Sequence, residues 1–364
     1  MEMGIPVAEI VAGLKERNCI FFLGPGLVLD KEGGLLQSGL IDYFKEKQLE
    51  IEEDLDNLYS CKKQAKARAQ VYIKEYYRDN GQLNEMLKQL ARIPCHLYIS
   101  INPDLFMKQA LEDYGVEHEF EYYVKDQPPA EVTNPSAQNP LLYNLFGSID
   151  NQQSLVFSYE DLIQYLFSII RDFKLPQNLR SNLEHSLYFI FLGFDFEKWY
   201  LKLLLKLFLL DETKLPIAAE SGTGTQGKLR TFYVGHYGVE FVEQNVAEYI
   251  KRVYDECDQQ GLLRAIKEKT QPSIQEEIKV LINNDELEEA LDRLYKALEQ
   301  MSDEFFEGKD ENKQDLLNEL DIQISRLSRS EKDLRKGLIL EEAARIEKNK
   351  ITDALLTTVR NLFG

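Results

Sequence analysis

The first residues in this chain that could do chemistry are glycines at the end of a buried strand. The apolar run Cys19-Ile20-Phe21-Phe22-Leu23 stops abruptly at Gly24-Pro25-Gly26. A glycine-rich turn between a buried strand and a helix can cradle a pyrophosphate, because glycine permits close backbone approach and a helix start favours anions. The GxGxxG fingerprint of dinucleotide sites is absent, so taken alone the turn serves equally well as an ordinary strand end. Three other apolar runs end in a similar way. Residues 96–101 lead into Asn102-Pro103-Asp104, residues 141–146 into Gly147-Ser148, and residues 186–192 into Gly193, with Asp195 close behind. Open α/β sheets bind ligands beyond the carboxyl ends of their strands. Four strands ending in small or polar residues therefore point to one shared cleft. The plainer alternative is that each residue caps its own turn or helix.

The elements that must hold these residues alternate along the chain. The apolar spacing predicts helices over 6–16, 36–48, 53–92, 105–113, 159–171, 197–210 and 246–262. Strands are expected at 19–23, 96–101, 120–125, 141–146, 186–192 and 229–236. Residues 126–139 and 211–228 read as loops, the second because of Ser221-Gly222-Thr223-Gly224-Thr225. Tyr72, Ile73, Tyr76 and Tyr77 make one helix face that reads as core. Buried strands alternating with helices argue an α/β fold with a doubly wound parallel sheet over residues 1–265. Residues 266–272 read as a linker. Over 273–364 the pattern is helical alone, an all-α module. Ser273 with Glu276 fits a capping box, Asp285 with Glu288 an N-cap with an acidic first turn, and Gly337 a C-cap. Two stripes, Leu317, Leu320, Ile324, Leu327 and Leu340, Ala344, Ile351, Leu355, Val359, Leu362, suggest a helical hairpin bundle.

Charge restricts the partners. The formal net charge is −19, which repels nucleic-acid phosphates and anionic membranes. A cluster of Lys62, Lys63, Lys66 and Arg68 reads as a solvated helix face. The apolar stretch 187–210 is interrupted by Asp195, Glu197, Lys198, Lys202 and Lys206, so it is not a membrane span. Cys19, Cys61, Cys95 and Cys257 form no Cys-x-x-Cys pair, which leaves no zinc ribbon, and Cys19 and Cys95 read as buried apolar residues. With no disulfide framework, and only a short apolar stretch between Glu2 and Glu9, the expectation is a cytoplasmic protein.

Four segments in order resemble the sirtuin-like domain family, in the branch found in bacterial defence effectors rather than the protein deacylases. Leu23-Gly24-Pro25-Gly26 is similar to the family's opening Gly-Ala-Gly loop, and Ile99-Ser100-Ile101-Asn102-Pro103-Asp104 to its Thr-Asn-x-Asp segment. Leu145-Phe146-Gly147-Ser148-Ile149-Asp150 is similar to its Leu-His-Gly-Ser segment, and Phe191-Leu192-Gly193-Phe194 to its late glycine strand. The resemblance covers about residues 5–260. It implies a Rossmann-like variant that binds NAD or ADP-ribose without zinc. Gly24, Pro25 and Gly26 would hold phosphates, Asn102 and Asp104 would meet the ribose region, and Gly147, Ser148 and Gly193 would complete the site. The branch destroys NAD during infection. Where it has a catalytic histidine, however, this chain has Phe146, which can neither accept a proton nor hydrogen bond. Loss of a general base costs about 10²–10⁴ in rate. His96, His118 and His185 stand at strand starts, and His236 at a strand end. His236, Asp104 and Asp150 are the possible surrogates.

The 273–363 region resembles an effector-associated domain, a helical adaptor that couples defence effectors through like-with-like contacts. The matching residues include Ile278, Leu281-Ile282, Leu287-Glu288-Glu289-Ala290-Leu291 and Ala354-Leu355-Leu356. The resemblance implies another defence protein or a second copy as partner, and a homo-oligomer. Three functional classes stay open: a nucleotide-binding defence component with hydrolysis impaired or lost, an active NAD glycohydrolase with a surrogate base, and a pure interaction scaffold.

Overall fold

The computed structural model describes residues 5–53, 58–125, 127–172, 175–209, 213–220, 225, 227–266, 274–283, 286–301, 303–306, 312–335 and 340–363. Residues Ser273, Asp285, Gly337, Pro272 and 221–224, to which caps, linker and loop were assigned above, lie outside the described residues. The chain divides into two units, Met1–Glu268 and Lys269–Gly364.

The first unit begins with α1 (Val7–Lys15), β1 (Cys19–Leu23), β2 (Leu29–Asp30), α2 (Leu40–Glu46), β3 (Ile51–Glu53), β4 (Tyr59–Cys61), α3 (Lys63–Asn80), β5 (Gly81–Gln82) and α4 (Glu85–Arg92). It continues with β6 (Leu97–Ser100), α5 (Phe106–Asp113), β7 (Glu119–Tyr122), β8 (Leu141–Asn144), α6 (Tyr159–Asp172), α7 (Gln177–His185) and β9 (Tyr188–Leu192). It ends with α8 (Trp199–Phe208), β10 (Leu215–Glu220), α9 (Gly227–Tyr237), β11 (Glu240–Glu243) and α10 (Val246–Gln259).

Seven strands pair in the order β11-β10-β9-β1-β6-β8-β7, every pair parallel. Parallel strands need covered faces, so their apolar residues run without alternation. Ile20, Phe22, Leu97, Ile99, Phe189 and Phe191 face α6, α7, α8 and α9. Phe21, Leu23, Tyr98, Leu142, Ile190 and Leu192 face α1, α4, α5 and α10. Each fully buried side chain of this size contributes about 1.5–3 kcal/mol. From β1 the chain builds the β6 side first and then returns to place β9 on the other flank. The order therefore reverses between β1 and β9, where doubly wound sheets form their crevice.

Between β1 and α4 lies a smaller cluster. The ribbons β2–β5 and β3–β4, with α2 and α3, bury Leu36, Phe44, Ile51, Tyr59, Ile73 and Tyr76, and the Tyr76 hydroxyl donates to Leu36 O at 2.8 Å. The core reading of the tyrosine face is correct for Ile73, Tyr76 and Tyr77, whereas Tyr72 is only partly buried.

Three expectations are corrected. The single helix over 53–92 is cut by β3–β4 and by β5, since Gly81 leaves the helix for extended backbone. The 211–228 segment holds β10, an interior strand. Residues 229–236 are helical, within α9, because parallel β10 and β11 need a crossover between them. α7 and β11 are further elements that the apolar pattern does not announce.

The second unit is α11 (Ile274–Asn283), α12 (Leu287–Gln300), α13 (Lys313–Arg335) and α14 (Glu341–Phe363). Ile278, Leu291, Leu294, Leu298, Leu320 and Leu355 are among its buried residues. The first stripe packs as expected, with Leu317, Leu320 and Leu327 buried and Ile324 partly so. The second does so only from Ile351 onward, since Leu340 is 78% exposed just ahead of α14. A core made within the unit predicts that residues 273–364 alone are soluble, helical by circular dichroism and cooperative on melting. A disordered fragment that gains helicity only on mixing with residues 1–268 would contradict this.

Candidate functional site

The four motif-bearing strands are neighbours, β9-β1-β6-β8, so their following turns meet along one edge of the sheet. Hydrogen bonds join each turn to the next. Gly24 N–H donates to Leu192 O and Gly26 N–H to Gly193 O, both at 2.8 Å. Asn102 Nδ2 donates to Gly24 O at 2.9 Å. Asn144 Nδ2 donates to Asp104 O at 3.1 Å, and Ile149 N–H to Pro103 O at 2.9 Å.

The glycines are required by contact between backbones. A Cβ on Gly24 would lie 2.4 Å from Gly193 O, and one on Gly26 2.9 Å from Gly193 Cα. Gly193 itself has φ +69°, a left-handed value that suits glycine. A branched residue at position 26 would thus break the seam before it met any ligand. The seam also consumes donors. Besides Gly24 and Gly26, Leu27 N–H binds Gly24 O at 3.2 Å and Val28 N–H binds Pro25 O at 3.1 Å. Pro25 has no N–H to give. The loop that reads as a phosphate cradle therefore spends its backbone donors on the protein.

Two cavities flank this seam. The first, about 60 Å³, is lined by Pro25, Gln37, Tyr77, Asn102, Phe146 and Tyr200, among others. Phe146 is buried, edge-on to Tyr165 with ring centroids 5.3 Å apart and near Tyr200 at 6.1 Å. The second cavity, about 240 Å³, lies over the β1–β9 crevice and is lined by Gly26, Gln37, Ser38, Asp195, Lys198 and Tyr200, among others. Tyr77, Tyr200, Gln37 and Lys198 belong to these walls and are not marked by any motif.

The other motif residues support the walls from behind. Gly147 takes φ +84°, and a Cβ there would meet Ser154 O at 2.1 Å. Ser148 is fully buried, its N–H on Ser154 Oγ at 2.9 Å. Asp104 Oδ1 accepts the Phe106 N–H, the first of α5, at 2.8 Å. Of the surrogates, Asp150 is paired with Lys74 at 3.0 Å on the surface. His236 lies in the last turn of α9, exposed, with its ring 4.6 Å from that of Phe232. His96 is buried at the amino end of β6, away from the crevice, and burial lowers its pKa to about 4. Cys19, Cys95 and Cys257 sit in one core cluster, and burial pushes the Cys95 thiol up to about 11. Among the described residues no group of three or more His, Cys, Asp or Glu could hold a metal ion.

Burial raises the Asp104 pKa to about 6, above the ~3.9 of an unfolded aspartate. The native state thus holds the proton more tightly. The associated stability is present below about pH 4 and is lost as pH rises through about 6, by up to roughly 3 kcal/mol. Asp104→Asn keeps an acceptor for Phe106 and removes the titration. Thermal melts should show it more stable than wild type at pH 8 and indistinguishable at pH 4; a constant difference at both would contradict the assignment.

Residues 96–216 match the SIR2-like domain family, and residues 273–363 match effector-associated domain 11. The first match includes Asn102, Asp104, Phe146, Gly147, Ser148 and Gly193. Two proteins named NAD(+) hydrolase ThsA are similar over about half of the chain. That of Cytobacillus dafuensis is 25% identical over 201 residues, 52% of this chain and 38% of its own length. That of Bacillus cereus (strain MSX-D12) is 25% identical over 199 residues, 52% of this chain and 40% of its own length. The matches span about two fifths of these relatives. The chain carries a SIR2-like domain and, after it, an effector-associated domain 11.

Proposed function

We propose that the chain is an NAD-related component of a bacterial antiviral defence system, one that binds NAD or ADP-ribose and hydrolyses NAD weakly or not at all. Phe146 carries this reading. At the position where the resemblance implies a histidine, the side chain is a buried benzyl group packed against Tyr165 and Tyr200. It offers no lone pair to a ribose hydroxyl or a water, and the missing base is worth about 10²–10⁴ in rate.

The cavities support the same division. The larger one, about 240 Å³, approaches the lower end of ligand pockets, roughly 300–1,000 Å³, and suits the adenosine and phosphate side of the ligand. The smaller, about 60 Å³, has room for little more than water while Tyr77, Phe146 and Tyr200 keep their places. Asn102, fixed to Gly24 O, would present its amide from between the two. When bound, the nucleotide would supply a scissile glycosidic bond; the chain's own residues would bind and orient it, and among the described residues lining the smaller cavity there is no His, Asp or Glu to take a proton. The effector-associated domain would join the protein to a second copy or to another defence protein, in the cytoplasm.

One observation favours a second reading, an active glycohydrolase: both relatives are named as NAD(+) hydrolases. It needs a surrogate base. Asp104 titrates in a useful range, at about 6, but its Oδ1 is bound to the α5 backbone, and Asp150 is engaged with Lys74.

Calorimetry with ADP-ribose and chromatography of NAD incubations separate the readings. Wild type should bind ADP-ribose and release little nicotinamide. Phe146→His restores an acceptor in a smaller ring; a gain of ~10² would equal roughly 2.7 kcal/mol of transition-state stabilisation. Rapid cleavage by wild type, abolished by Asn102→Ala, would overturn the reading of lost activity. Absence of ADP-ribose binding would leave the scaffold class in its place.

A further inference from the structure

A phosphate in the crevice must be met by something other than the glycine loop. The N–H groups of Gly24, Gly26, Leu27 and Val28 are each bound to a protein carbonyl. Among the described residues lining the two cavities, Lys198 is the one cation. Its side chain is only 17% exposed, and its Nζ lies 3.5 Å from Asp195 Oδ2, whose side chain is 54% exposed. An ammonium held at a cavity wall, partly withdrawn from water, attracts an anion more strongly than a freely solvated lysine does.

We propose that Lys198 is the phosphate-binding residue of this site, and that Asp195 holds it in place and competes with the ligand for it. The inference rests on the nucleotide-binding reading above. The ligand class is a nucleoside phosphate seated in the 240 Å³ cavity, with its phosphate beside Gly26 and Lys198. Lys198 is also the N-cap residue of α8, so the partial positive charge of that helix start adds to its own. The arrangement assigns opposite signs to two neighbours. Removing the lysine loses the attraction, whereas neutralising Asp195 removes a competitor and a repulsion. Asp195→Asn keeps an acceptor for the Glu197 N–H, which now binds Asp195 Oδ1 at 3.0 Å.

The test is calorimetric titration of the full chain with AMP and with adenosine, read as the ratio of the two dissociation constants. That ratio isolates the phosphate and cancels general damage to the cleft. Wild type should prefer AMP. Lys198→Ala, and Lys198→Gln with its longer stem retained, should weaken AMP about tenfold, the scale of one charge-assisted hydrogen bond, with adenosine unchanged. Asp195→Asn should raise the preference for AMP, and added salt should diminish it in wild type more than in Lys198→Ala. A wild-type ratio retained in both lysine variants overturns the assignment while leaving nucleotide binding intact. A preference for AMP that weakens in Asp195→Asn overturns the competing role of Asp195. Failure of wild type to bind either compound overturns the nucleotide reading together with this inference.

Discussion

Where the strand order reverses, two backbone turns touch with no side chain between them, and the rest of the site depends on that contact. Gly24 and Gly26 press on Gly193, two N–H groups cross the seam, and Asn102 fastens Gly24 from the other side. Such packing fixes β9, β1 and β6 relative to one another at their carboxyl ends. It also decides the electrostatics of the crevice, because donors spent on protein carbonyls cannot also meet a phosphate. The charge of any anion bound there falls to side chains on the walls.

The same economy shapes the far end of the crevice. Tyr77 from α3, Phe146 after β8 and Tyr200 from α8 converge on the smaller cavity. Aromatic rings pack well edge to face, at a gain of about 0.5–1.5 kcal/mol per pair. That packing stabilises the first unit. A histidine at position 146 would need hydrogen-bond partners, whereas Tyr165 and Tyr200 offer Phe146 chiefly ring surface.

Much of this is legible in the sequence where local rules coincide with the fold. Apolar runs ending at glycine or polar residues mark β1, β6, β8 and β9, and their adjacency follows once the sheet is parallel and doubly wound. β10 is not legible in that way, because Pro216 withholds an N–H and argues against an interior strand. Thr231, Phe232, Tyr233 and Val234 favour a strand by type alone, yet the crossover between β10 and β11 makes them helical, and of the four only Tyr233 is buried. In the site, the motif glycines are visible but their purpose is not: a glycine kept for close approach to another backbone looks the same as one kept for a phosphate. Lys198 reads in the sequence only as a charge breaking an apolar stretch. Its place on the same cavity wall as Gly26 comes from the fold, and no local pattern encodes it.

The most direct measurement is a crystal structure of the protein with ADP-ribose. The phosphates should lie beside Gly26 and Lys198, the distal ribose toward Asn102, and Phe146 should stay packed on Tyr165 and Tyr200. A ligand whose ribose displaces Phe146 and meets a carboxylate or imidazole there would contradict this, as would a ligand bound away from the crevice.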